Sequence, residues 1–124
     1  MYLLESSDGR VYQGTAEDGD ARRRLAEHNR GECRATREFR PWALGCVVRG
    51  FPQVKGQHGA NAFETDVKQL RVRQPGVRAK TAAVRQLLAG TLRRPGRPDW
   101  SNCGLTLKNL MARPTDQFFF WCPG

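Results

Sequence analysis

MYLLESSDGRVYQGTAEDGDARRRLAEHNR, residues 1–30, is the stretch that decides the fold. Tyr2 to Ser6 and Arg10 to Gly14 read as two short strands, and Ser7-Asp8-Gly9 between them supplies the Asp-Gly pair that favours a tight hairpin turn. The run Glu17-Asp18-Gly19-Asp20 then offers aspartates to cap a helix reaching about His28 or Asn29. Gly31 stands just past that helix, where a left-handed residue is wanted. The pattern sets one tyrosine in each strand of the hairpin, Tyr2 and Tyr12. It also sets Arg24 and His28 four residues apart, on one face of the helix.

Beyond residue 30 the elements are simpler. Trp42 to Phe51 (WALGCVVRGF) reads as a third strand, apolar enough to be covered on both faces. Gly59 to Gln74 reads as a helix with Ala62, Phe63, Val67 and Leu70 on its apolar face, broken by Pro75-Gly76. Lys80 to Leu92 reads as another, with Ala83, Val84, Leu87 and Leu88 inward, followed by a loop from Arg93 to Pro98. Leu105 to Met111 alternates as a strand does, and Phe118 to Trp121 is expected as a closing strand or a plug over the core. The sum is a small α+β fold over 1–124, one domain, with a three- to four-stranded mixed or antiparallel sheet flanked by about three helices.

At 124 residues, the chain holds 21 Lys+Arg against 12 Asp+Glu, a net charge of +9. No apolar run approaches the roughly 18 residues that a membrane span needs. The start, Met1-Tyr2-Leu3-Leu4-Glu5, does not resemble a secretory signal, so a soluble, intracellular protein is expected. Cys33, Cys46, Cys103 and Cys122 lack any Cys-x-x-Cys pair, and His28 and His58 are the two histidines. Buried free thiols are therefore expected in preference to a zinc site or disulfides. The charge is uneven: residues 1–64 carry ten basic and nine acidic side chains, residues 65–124 eleven and three. Nine basic residues and no acidic one fall between Lys68 and Arg97, and arginines outnumber lysines seventeen to four. Such a field attracts polyanions, and the guanidinium fork suits phosphate. Candidate backbone-binding residues are Arg23, Arg37, Lys68, Arg71, Arg73, Arg78 and Lys80.

Two phenols, a guanidinium, an imidazole and the carboxylate of Glu64 form a set suited to cutting a phosphodiester. A carboxylate holds a hard cation, arginine offsets phosphate charge, and a phenol or imidazole takes a proton from water. Taken singly, each has a plain structural explanation: half-buried packing for the tyrosines, and solvated charge for Arg24 and Glu64. The order of the residues is more specific. Tyr2-Leu3-Leu4, then Val11-Tyr12-Gln13-Gly14, then Ala21 to Asn29 resembles the GIY-YIG nuclease superfamily, and within it the catalytic subunits of eukaryotic structure-selective endonucleases. The resemblance continues at Ala35-Thr36-Arg37, Arg40-Pro41-Trp42, Val48-Arg49-Gly50-Phe51-Pro52 and Ala62-Phe63-Glu64, and covers roughly Tyr2 to Leu110.

That resemblance implies a GIY-YIG fold and a catalytic set of Tyr2, Tyr12, Arg24, His28 and Glu64. It implies hydrolysis with one Mg2+ or Mn2+ ion on Glu64 and a deprotonated motif tyrosine as base. It implies branched or flapped DNA as substrate, roles in DNA repair and recombination, and a nuclear location in a eukaryotic or viral setting. A protein scaffold is a further implied partner, although the cysteine- and histidine-rich zinc module that such subunits use to hold it has no counterpart up to Gly124. Where the family has Tyr-Ile-Gly, this chain has Tyr12-Gln13-Gly14. Two other classes fit the composition: a nucleic-acid-binding module on the same fold that does not cut, and a small basic protein that docks an acidic partner.

Overall fold

A computed structural model describes residues 1–16, 19–52, 59–70 and 76–110. Strands β1 (Tyr2–Ser6) and β2 (Val11–Gly14) pair antiparallel, with Leu4 opposite Tyr12 and Tyr2 opposite Gly14. Ser6 N–H donates to the Arg10 carbonyl at 2.9 Å and Gly9 N–H to the Ser6 carbonyl at 3.0 Å. Gly9, at φ +86°, takes the left-handed position that closes this three-residue loop. Helix α1 (Ala21–Asn29) is capped by the Asp20 side chain, which accepts from Arg23 N–H at 3.0 Å. Gly31 follows it at φ +82°, as the sequence predicts.

Strand β3 (Trp42–Arg49) pairs with β1, and β4 (Thr106–Asn109) pairs with β3, so the sheet order is β2-β1-β3-β4. All three pairings are antiparallel, which resolves the mixed-or-antiparallel alternative. The register between β1 and β3 shifts at Leu3/Leu4, where Gly45 is the extra residue on β3. A side chain there would collide with Val77, so the bulge glycine is what lets α3 approach the sheet. Helices α2 (Ala60–Lys68) and α3 (Val77–Ala89) complete the layers. Short 3-10 turns stand at Arg37–Phe39 and Trp100–Asn102.

The sheet carries a core on each face, because β1 and β3 alternate apolar residues to both sides. Leu3, Cys46 and Val48 pack with Phe63, Val67, Val77, Val84, Leu87 and Trp100 beneath α2 and α3. Tyr2, Leu4, Trp42 and Val47 pack with Ala21 of α1, joined by Tyr12 and Leu25. Asn29 fastens α1 to β3: its side chain accepts from Trp42 N–H at 2.7 Å and donates to the Trp42 carbonyl at 3.0 Å.

Several boundaries differ from the sequence expectation. Helix α3 begins at Val77, not Lys80, so its buried stripe runs Val77, Thr81, Val84, Leu87. It ends at Gly90, whose φ of +79° closes the C-terminus before Leu92. Asp66 of α2 is 1% exposed. It accepts from Arg97 Nε at 2.6 Å and Trp100 Nε1 at 2.8 Å, tying the loop after α3 to α2. Helix α2, expected to reach Gln74, ends at Lys68 with Gln69 as its cap, and the expected plug at Phe118–Trp121 lies outside the described residues, as do Arg71 and Arg73. Among the described residues no helix is long and apolar enough to cross a membrane.

Candidate active site and nucleic-acid cleft

Opposed residues in the β1–β2 ladder share a face, so Tyr2 and Tyr12 are diagonal neighbours on the side that α1 covers. The Tyr2 hydroxyl lies over Gly14. A Cβ at that position would sit 2.5 Å from the Tyr2 oxygen, so the glycine of Tyr12-Gln13-Gly14 makes room for the other tyrosine. The Tyr2 hydroxyl is 2.9 Å from His28 Nε2, and the Arg24 guanidinium is near enough for its charge to act on the phenol. The four-residue spacing on α1 therefore brings both groups to one phenol. Tyr12 meets the His28 ring edge-on, with centroids 4.9 Å apart, and packs against Trp42 at 6.3 Å.

His28 is fully buried and hydrogen-bonded at both nitrogens, Nδ1 lying 2.7 Å from Thr36 Oγ1. Arg24 and Arg23 both pair with Glu27. Glu64 reaches the site from α2, around the β2 edge of the sheet. Gln13 donates to the Glu64 carbonyl at 2.6 Å, so the polar residue that stands in place of an aliphatic one fixes the α2 backbone at the carboxylate. Lys68 Nζ lies 2.9 Å from Glu64 Oε1, and the carboxylate side chain is 17% exposed. Its charge acts on the Tyr2 phenol. Tyr2, Tyr12, Arg24 and His28 thus lie together, while Glu64 stands on a different layer and shares the cleft lining with Tyr12.

Burial is the main influence on the ionisable groups. It raises the Tyr2 phenol, against the pull of Arg24, and pushes Tyr12 up to about 12. Both tyrosines are therefore neutral phenols near pH 7 in the free protein. Burial, and then the Arg24 charge, hold the His28 imidazole below its ordinary value. Burial also works against the Cys33 thiolate, but hydrogen bonds from Thr36, the Ala35 backbone and Tyr12 bring Cys33 below its usual value.

Beside Tyr12 and Glu64 a cleft of about 830 Å³ opens, lined by Arg10, Gln13, Lys68 and Lys80 among others. Lys68 and Lys80 thus fall beside the site. Arg78 is exposed on α3 two residues before Lys80, while Arg23 and Arg37 lie on the α1 side. The basic segment is less free than its composition suggests. Lys68 pairs with Glu64, Arg93 with Asp99 at 3.8 Å and Arg97 with buried Asp66. Three side chains were missed from the sequence: Thr36, Gln13 and Cys33. Cys33 is half-buried beside Tyr12, and Cys103 is also half-buried, so of the described thiols only Cys46 is buried as expected.

Among the described residues no three His, Cys, Asp or Glu side chains converge on one point. Glu64 would be the single carboxylate on any metal. That fits a hard cation such as Mg2+, which keeps waters and takes its remaining ligands from phosphate. The carboxylate already faces a cation in Lys68 and borders the cleft.

Part of the sequence has a counterpart among known proteins. The chain is similar to the structure-specific endonuclease subunit slx1 of Schizosaccharomyces pombe, 43% identical over a 58-residue alignment that covers 41% of this chain and 21% of that protein. No family model matches the chain.

Proposed function

We propose that this chain is a divalent-metal-dependent DNA endonuclease, a phosphodiester hydrolase selective for branched or flapped DNA. The observation that carries this reading is the Tyr2 hydroxyl set 2.9 Å from His28 Nε2, with Tyr12 against the same ring and beside Glu64 in the cleft. The similarity to an slx1 endonuclease subunit supports the substrate class. That relative's description as a subunit supports a protein partner, and DNA repair in the nucleus is the setting proposed.

In this mechanism the cleft seats the phosphodiester backbone, with Lys68 and Lys80 setting its path. Arg24 donates to the scissile phosphate and offsets charge as it develops, a contribution worth about 3 kcal/mol for one preorganised donor. The Tyr2 phenol, hydrogen-bonded to neutral His28, passes its proton to Nε2 as it takes one from the attacking water. Tyr12, with its proton firmly held, donates to a phosphate oxygen. Mg2+ or Mn2+ on Glu64, when bound, supplies Lewis acidity at the phosphate.

The test is incubation with end-labelled flap, fork, four-way and linear DNA, with Mg2+, Mn2+ or chelator. Metal-dependent incision of the branched substrates is expected. Tight DNA binding with no incision under any metal would replace this reading with a non-catalytic binding module.

A further inference from the structure

We propose that Thr36 is a positioning residue that fixes the His28 tautomer, placing the ring proton on Nδ1 and leaving Nε2 bare to accept from Tyr2. Thr36 and His28 are each 0% exposed, and Thr36 Oγ1 lies 2.7 Å from Nδ1. A threonine hydroxyl has a single proton, and when Nδ1 donates to Oγ1 that proton turns to the Cys33 carbonyl, 3.4 Å away and also accepting from the Thr36 and Arg37 N–H groups. In a neutral imidazole Nε2 is then an acceptor, and the Tyr2 hydroxyl at 2.9 Å donates to it.

The reverse tautomer fails a count of protons. Nε2–H would donate to the Tyr2 oxygen, leaving the phenol proton to find another acceptor. Tyr2 is 1% exposed, and among the described residues no carbonyl or carboxylate is hydrogen-bonded to its hydroxyl. The relay is held from outside. Trp42 Nε1 donates to the Thr36 carbonyl at 2.9 Å, and Thr36 N–H donates to the Cys33 carbonyl at 3.2 Å. Thr36 touches neither metal nor phosphate in this scheme. It sets the direction in which the Tyr2 proton leaves.

The kinetic consequence rests on the nuclease reading above, whereas the tautomer does not, so two measurements separate them. Long-range 1H–15N NMR of the whole chain near pH 7.5, with His28 assigned through a His28 variant, should show Nδ1 protonated and Nε2 unprotonated. A protonated Nε2 overturns the proposal with no variant needed. Thr36→Val should shift His28 toward the Nε2–H tautomer, and Thr36→Ser should restore the wild-type spectrum. Orienting partners of metal-bound histidines are worth 10–100-fold when removed, and by the same logic Thr36→Val should lower kcat on flap DNA by about tenfold or more with KM little changed. Thr36→Ser should recover the rate. A Thr36→Val protein with an unchanged tautomer and rate overturns the proposal. A wild-type protein that shows the tautomer and cuts no DNA overturns the nuclease reading and the kinetic consequence, with the positioning role standing on the spectrum.

Discussion

The two sides of the hairpin are built on opposite terms. On the α1 side, Tyr2, His28 and Thr36 are buried almost completely and hydrogen-bonded to one another within 3 Å. On the α2–α3 side, the groups that meet at the cleft are charged and half-exposed, and Lys68, with its side chain 61% exposed, is held by one ion pair. Buried polar networks are rigid because every unmade hydrogen bond costs the full desolvation of the group. Exposed ion pairs exchange easily, being worth on the order of 1 kcal/mol or less. The locked half is suited to directing a proton. The open half is suited to accepting a polyanion and a cation in turn.

The strongest way to break this comparison is at its seam. Glu64→Gln should reduce metal-dependent cleavage to the level seen with chelator while leaving the fold and DNA affinity close to wild type, because a neutral amide is a poor ligand for a hard cation. Cleavage by this variant near the wild-type rate would remove Glu64 from the metal. Next in size, Arg24→Ala should slow cleavage about a hundredfold, the cost of one preorganised charge contact. Arg22→Ala and Arg23→Ala should do much less, since of the three it is the Arg24 charge that acts on Tyr2 and His28. Equal losses from all three would make the α1 cluster a backbone-phosphate contact only.

The open half should respond to salt. Replacing Arg78 and Lys80 with Gln should weaken binding to all DNA substrates alike, and flatten the slope of log affinity against log salt by about 1.8 on duplex if two phosphate contacts are lost. An unchanged slope would put the DNA elsewhere. The smallest effect is on stability. The folded His28 pKa is lowered, so the unfolded chain binds the proton more readily. Stability should be level above about pH 6.5, fall as the pH drops through the folded value, and then level again below it. The groups facing His28 are Tyr2, Tyr12, Arg24, Glu27 and Thr36. Urea midpoints at pH 7.5, 6 and 5 for wild type and His28→Gln check this; a wild-type curve no steeper than the variant's would show that His28 is not the group.

Local rules carried much of this architecture in the sequence. The Asp8-Gly9 turn, the Asp20 cap and the four-residue spacing of Arg24 and His28 are short-range features, and the structure reproduces each. What composition concealed was long-range pairing. The run of nine basic residues looked unopposed because its carboxylates, Glu64, Asp66 and Asp99, lie outside the window or far along the chain from their partners. Asp66 is held in the interior by partners, Arg97 and Trp100, more than thirty residues away. Thr36 carried no signal of its own: a threonine in a loop, eight residues after His28, becomes an orienting group only when Trp42 and Cys33 hold that loop against α1. Gln13 looked like a departure from the motif, and in the fold it holds the backbone of Glu64.

Single-turnover cleavage of one labelled flap DNA, with affinity measured on the same substrate, tests the division most directly. Arg24→Ala should lose about a hundredfold in rate at saturating protein while its affinity stays near wild type. The Arg78→Gln, Lys80→Gln double variant should lose affinity and keep its rate at saturation. A wild-type protein that binds the flap without cutting it, or losses of rate and affinity that track together in both variants, would contradict the assignment of chemistry to the buried half and binding to the open one.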